Sequence, residues 1–156
     1  MRVEYINPFV EAAFNVLKEV CNTDVKRGDL YLKSSTMAIM GVAALVGLAG
    51  DVEGRVLFDM TKPTALSVAG AMNGETFIAL DEMVKATITE LANMITAQAV
   101  TKLHDLGFKF DLTPPALFTG ENMEISNTLE VEALIVPMEI GTHGKIEINV
   151  VIRERM

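Results

Sequence analysis

Basic residues are scarce in this chain: Lys and Arg total 13 against 21 Asp and Glu, a net charge of -8. A protein that grips duplex nucleic acid neutralises phosphates with a basic face. The only close basic pairs, Lys26-Arg27 and Arg153 with Arg155, form no patch, so nucleic acid is not an expected partner. Cysteine is nearly absent too. Cys21 alone excludes an internal disulfide; with no base or positive charge hinted beside it, it reads as a structural thiol near the end of an amphipathic helix. No apolar run reaches the ~20 residues of a bilayer span. The longest, Ala38 to Gly50, stops at Asp51. The N-terminus carries Glu4 early and lacks an apolar core region, unlike a signal peptide. A soluble cytoplasmic protein, with no membrane contact, is the expectation.

The usual motifs of catalysis are missing as well. There is no H-x-x-x-H, no C-x-x-C and no Asp-rich loop, and His104 and His143 fall on different expected elements. Both read as surface residues, and no tightly held metal or intrinsic cofactor is expected. Without a G-x-S-x-G elbow, a Walker A loop or G-x-G-x-x-G, covalent catalysis and nucleotide binding lose most of their support. The ten methionines are spread over several elements and read as core gap-fillers.

What is present is apolar periodicity. Half of the 156 residues are hydrophobic, enough for one domain spanning 1–156 with its own core, and no Pro-, Gly- or Ser-rich run divides it. Ile6 to Val20 reads as a helix on the recurrence of Phe9, Ala13, Val16, Leu17 and Val20, with Asn7 as cap and Pro8 in the first turn. Tyr31 to Ser35 is a short strand. Met37 to Leu48 reads as a long strand, then a turn over Asp51 to Gly54, then a strand from Arg55 to Met60, together a hairpin. Thr61 caps a second helix, with Pro63 in its first turn and Asn73-Gly74 stopping it. Leu80 to Leu106 is the longest helix, its buried stripe Val84, Ile88, Leu91, Ile95 and Ala99, continued by Leu103 or Leu106. Lys109 to Leu112 is strand-like, Thr113-Pro114-Pro115 a rigid connector, and Asn122-Met123-Glu124 a turn or link. Leu129 to Ile140 and Lys145 to Arg153 alternate at period two and form a second hairpin. The halves resemble each other, so the expected architecture is an α/β (α+β) fold made from a duplicated unit with pseudo-twofold symmetry.

One turn of the long helix stands out. Glu90 and Asn93 are three residues apart and share a helix face, beside the buried stripe and therefore exposed. Asn is a poor helix former, yet it sits mid-helix, and its neighbours Ala86, Thr89, Thr96 and Ala97 are small where long polar side chains are usual. A partner's backbone can come close to both polar groups.

The run Glu90-Leu91-Ala92-Asn93-Met94-Ile95-Thr96-Ala97 resembles the signature helix of the CheC/CheX/FliY phosphatases of bacterial chemotaxis. Asp111-Leu112-Thr113-Pro114-Pro115, with Gly120 after it, resembles the segment following that helix in CheX-like members, and Gly54-Arg55-Val56-Leu57-Phe58 matches in order and spacing. Two departures accompany the match. Ala97 stands where members often have Gly, and the corresponding N-terminal turn, Glu11-Ala12-Ala13-Phe14, has Phe in place of Asn, which leaves one site instead of two.

The resemblance implies a long mixed or antiparallel sheet with two long helices on one face, and a homodimer paired through sheet edges. It implies a phosphatase for the aspartyl phosphate of a phosphorylated CheY-type response regulator, in chemotaxis or related two-component signalling. Asn93 would hold the attacking water and Glu90 would pair with the partner's active-site lysine, while that partner brings its own Mg²⁺. The competing reading is a non-catalytic dimeric adaptor of the same fold; a third, a small-ligand pocket between the halves, has only the fold behind it.

Overall fold

Alternating apolar residues build two hairpins, and their pairing makes the centre of the molecule. The computed structural model describes residues 3–33, 36–126 and 132–154. In chain order its elements are α1 (Val3–Cys21), β1 (Val25–Arg27), β2 (Tyr31–Lys33), β3 (Thr36–Ala38), β4 (Val42–Gly50), β5 (Val52–Met60), α2 (Lys62–Asn73), α3 (Glu82–Asp105), β6 (Phe110–Leu112), β7 (Ala116–Thr119), β8 (Glu124–Ser126), β9 (Ala133–Ile140) and β10 (Lys145–Glu154). The hairpins β4–β5 and β9–β10 join through β5 and β10 in one antiparallel sheet of order β1-β9-β10-β5-β4-β6. β2 also pairs with β9, β7 with β4, and β3 with β8 in a separate ladder.

This connectivity bears out the duplication. The first half runs α1-β1-β2-β3-β4-β5 and the second α3-β6-β7-β8-β9-β10, with α2 between them. The pseudo-twofold axis passes between β5 and β10. The strands that follow each helix pair with the other half's hairpin: β1 and β2 on β9, β6 and β7 on β4.

Period-two alternation decides which face the helices cover. Even-numbered residues of the four long strands, such as Val46, Phe58, Met138 and Ile148, share one buried cluster with Phe9, Leu17, Ile88, Leu91 and Ile95 from the helices. Cys21 lies buried among them, and burial pushes its thiol up to about 11, consistent with a structural role. Among the described residues no helix is long and apolar enough to cross a membrane.

Several expected boundaries move. Pro8 lies inside α1, not in its first turn, and Asn7 is helical instead of a cap. Upstream packing explains the extension: Tyr5 and Ile6 are buried, and Tyr5 meets Phe108 edge-on at 4.9 Å between ring centroids while its hydroxyl donates to Glu154. That packing outweighs the backbone hydrogen bond that proline forfeits to Glu4. The long strand expected over Met37 to Leu48 divides at Ile39–Gly41 into β3 and β4. The expected turn over Asp51 to Gly54 shrinks to Asp51, and Gly54 lies in β5 opposite Leu48 and Ile152. Short strands β1 and β7 appear where none was expected, and Glu124 opens β8 instead of closing a turn. Residues 34 and 35 of the expected early strand, 129–131 of the expected late hairpin and residue 155 lie outside the described residues.

The face away from the helices carries a buried polar group. Asp59 and Glu147 sit directly opposite each other in the β5–β10 register, 2% and 9% exposed. The backbone N–H of Met40 donates to Asp59 Oδ1 at 3.0 Å, and the Tyr31 hydroxyl donates to Glu147. Burial above all pushes the Asp59 carboxyl up from 3.8 to about 6; the Met40 N–H opposes this, the Glu147 charge adds to it, and Lys33 and the Met60 N–H oppose it. Between pH about 4 and 6 the folded chain therefore keeps a proton that the unfolded chain has released. Stability from this group is fully present below 3.8 and is lost as pH rises through 6. Asp59→Asn keeps an oxygen for Met40 and removes the charge. It is expected to be about 1–3 kcal/mol more stable than wild type at pH 8 and equal to it near pH 4. Urea denaturation at the two pH values checks this, and a wild-type chain that gains stability over the same rise in pH, relative to the variant, contradicts it.

Candidate functional site

Helix α3 begins at a strong cap. Asp81 has extended backbone angles, and its side chain accepts from the Val84 N–H at 2.9 Å, satisfying one of the helix's unpaired donors. The expected stripe Val84, Ile88, Leu91, Ile95 and Ala99 is buried, and Leu103 continues it at 0% exposure while Leu106 is 61% exposed. The helix expected from Leu80 to Leu106 therefore runs from Glu82 to Asp105: Asp81, which that start places in the first turn, is its cap. α2 is tied to this scaffold through Asn73, whose Nδ2 donates to Thr87 Oγ1 at 2.8 Å and to the Ala69 carbonyl at 2.9 Å.

With the stripe fixed on the sheet, the opposite face looks outward. Glu90 and Asn93 are both exposed on it, with Ala86 and Ala97 exposed a turn to either side. No hydrogen bond or ion pair to another described residue holds either side chain. The neighbouring threonines do not compete for them. Thr89 Oγ1 donates to the Lys85 carbonyl at 2.8 Å, and Thr96 Oγ1 to the Ala92 carbonyl at 2.7 Å; both hydroxyls are turned back onto the helix. A carboxylate and a carboxamide therefore stand side by side on a rigid helix, bordered by alanines, ready for an external group.

The matching turn of α1 is built differently. Glu11 is exposed, but its carboxylate pairs with Lys102 Nζ of α3 at 2.5 Å. Phe14, in the place of the asparagine, is 37% exposed with the Lys18 ammonium 5.7 Å from its ring centroid. The acid of this turn is engaged in clamping two helices, and no carboxamide accompanies it. Sequence spacing showed the missing Asn but not the clamp, because nothing in the chain says that Lys102 and Glu11 face each other.

The double-proline segment is the connector expected of it. Thr113 holds it to the edge of β4 twice: its N–H donates to the Gly47 carbonyl at 3.0 Å, and its Oγ1 accepts from the Gly47 N–H at 2.7 Å. The prolines after it supply no N–H to the ladder. Of the two histidines, His104 is exposed as expected, but His143 is half-buried, its Nδ1 2.7 Å from Ser67 Oγ of α2. It serves the β9–β10 turn. Among the described residues no group of His, Cys, Asp and Glu could hold a metal ion.

Comparison with known proteins points one way. The family described as "Chemotaxis phosphatase CheX" matches residues 42–139. The curated "CheY-P phosphatase CheX" of Thermotoga maritima is 27% identical over 128 residues, 81% of this chain and 83% of that protein. A chain of the crystal structure of the CheX-CheY-BeF3-Mg+2 complex from Borrelia burgdorferi is 46% identical, with a TM-score of 0.86 over 98% of this chain and 100% of that one. A CheC-like superfamily protein from Shewanella sp. PV-4 superimposes with a TM-score of 0.88 at 30% identity, covering 98% and 99% of the two chains.

Proposed function

Because this chain belongs to the CheX family of chemotaxis phosphatases, we propose that it hydrolyses the aspartyl phosphate of a CheY-type response regulator, with Asn93 positioning the attacking water and Glu90 docking the partner. The observation that carries this reading is the open pair itself: Glu90 and Asn93 exposed side by side on the outer face of α3. The reaction is attack of water on phosphorus with cleavage of the acyl-phosphate P–O bond, releasing inorganic phosphate and the regulator's aspartate. The acyl phosphate is already activated, so the phosphatase needs to supply geometry more than chemistry. A carboxamide is well suited to hold the water, since its oxygen accepts from the water's O–H, its nitrogen donates, and it stays neutral beside an anionic phosphoryl group. The Mg²⁺ and the phosphate-contacting lysine belong to the regulator, in keeping with a related structure that holds CheY, BeF3 and Mg²⁺ together.

Glu90 would act at a distance from the breaking bond. Its carboxylate, free of partners among the described residues, can pair with the regulator's lysine and set the helix over the phosphate. Glu90→Ala is expected to weaken affinity about tenfold, as loss of one charge-assisted contact does. Isothermal titration against a regulator held active with beryllofluoride and Mg²⁺ reads that directly; unchanged affinity removes the docking role. We read the chain further as a cytoplasmic homodimer. β2 pairs with β9 alone, and Leu32 in it and Leu30 just before it are 58% and 40% exposed, which supports pairing there. Phosphate release from an acetyl-phosphate-charged CheY-type regulator, with and without the protein, tests the reaction. Tight binding with no acceleration would make the chain an adaptor instead.

A further inference from the structure

Ile78 is 90% exposed and Met83 53% exposed. Single exposed apolar side chains are ordinary, but these two lie just ahead of α3 and in its first turn, and α3 is the helix that carries the candidate site. Ile78 lies in the segment between α2 and α3, and that segment is anchored on both sides of it: Phe77 and Leu80 pack against the core, and the Asp81 N–H donates to the Ala79 carbonyl at 2.8 Å. An ordered loop therefore holds an isoleucine out in water. Met83 follows in the first turn of α3, seven residues before Glu90, which places it on the same face and about 10 Å along the axis. Ala79 and Ala86 are exposed with them. Met83 and Ala86 thus lie on the helix face that leads to Glu90, and Ile78 stands exposed in the loop just ahead of that helix, with the exposed Asp81 and Glu82 between them in the chain.

We propose that Ile78 and Met83 are an apolar anchor for the response regulator, gripping the regulator's surface beside its phosphorylation pocket and setting affinity without touching the phosphoryl group. This rests on the reading of Asn93 and Glu90 as the phosphatase site. Size supports it: a folded domain of ~100 residues has a radius of gyration of about 13 Å and is thus roughly 30 Å across, so a regulator seated with its phosphate at Asn93 also reaches Met83, ten residues and about 15 Å back along the helix axis. Continuity decides the occupant. A second copy of this chain seated here would cover Asn93 and Glu90, which the reaction requires to be open. The partner surface that fits is apolar and adjoins the phosphorylated aspartate.

The test uses neutral replacements, so that lost apolar contact is not confused with added charge on an acidic protein. Both residues are exposed, and Ile78→Ser with Met83→Ser leaves the core intact. With an acetyl-phosphate-charged CheY-type regulator, the double variant is expected to raise KM at least about tenfold with kcat within about twofold. Ile78→Leu with Met83→Leu keeps the wild-type KM. Unchanged KM in the double Ser variant overturns the anchor, and so does loss of self-association by light scattering with KM unchanged, which assigns the patch to a second copy. Asn93→Ala separates this proposal from the reading beneath it: if that variant turns over normally, the site assignment fails, whereas an inactive Asn93→Ala beside an unaffected double Ser variant sinks the anchor alone. Titration against the beryllofluoride-held regulator reads the same affinity change independently of turnover.

Discussion

Asn93→Ala is expected to lose about 100-fold in kcat for phosphate release while becoming slightly more stable. The first effect corresponds to ~2.7 kcal/mol of barrier, within what holding one water in line can supply. The second follows from helix propensity. Asn93 is an exposed residue in the interior of α3, where replacing Asn by Ala gains about 0.5 kcal/mol. A residue kept for structure does not behave this way, because its loss lowers stability. The two readouts, single-turnover phosphate release and urea denaturation, thus move in opposite directions if Asn93 serves catalysis. Equal acceleration by wild type and variant would strip Asn93 of its role. A fall in stability together with activity would mark it as a structural residue.

The second large effect is on folding. Gly54→Ala is expected to cost at least ~4 kcal/mol, roughly a quarter or more of the stability of an ordinary domain. Gly54 has φ +154 and lies between β4 and β10, and a Cβ on it would stand 1.8 Å from the Val151 carbonyl oxygen and 2.8 Å from the carbonyl carbon. Both are backbone atoms of a central strand, so neither yields without breaking the pairing of the two hairpins. Gly74 gives the contrast. It caps α2 at φ +68 with nothing within 4 Å of its Cβ position, so Gly74→Ala should cost only about 1 kcal/mol, the strain of the left-handed backbone. Chemical denaturation of both variants provides the comparison; equal losses would show that the steric reading of Gly54 is wrong.

The sequence made α3 readable because a stripe at helical spacing runs its whole length and Gly107 lies past its end, whereas Asp81 reads there as a first-turn acid and is in fact the cap. The exposure of Glu90 and Asn93 followed from their angle to that stripe. The duplication was readable in outline from two hairpins, but not the exchange of edge strands, since β1, β2, β6 and β7 are three or four residues long and carry too few residues for a period. Pro8 misled because local chemistry places proline at helix starts, whereas the burial of Tyr5 and Ile6 lies in tertiary contacts. Gly54 looked like part of a turn because a glycine after acidic residues usually is one; its reason is the close approach of β10, which no local window contains. Asp59 and Glu147 alternate as solvent-facing residues should, and only register and a covering layer turn them into a buried pair. Ile78 gave no warning either, since an isolated apolar residue in a loop has no period by which to judge its side.

The exchange of edge strands has a consequence during synthesis. Neither hairpin is flanked by its own half: β1 and β2 wait for β9, and β5 waits for β10. At about 5–20 residues per second, several seconds separate the emergence of Met60 from that of Glu154. For that interval the nascent chain holds the apolar β4–β5 hairpin with its β5 edge unpaired, the kind of edge that invites wrong partners. The molecule's symmetry therefore delays its completion until β10 is made, and a chain cut short before β10 has no native sheet to close.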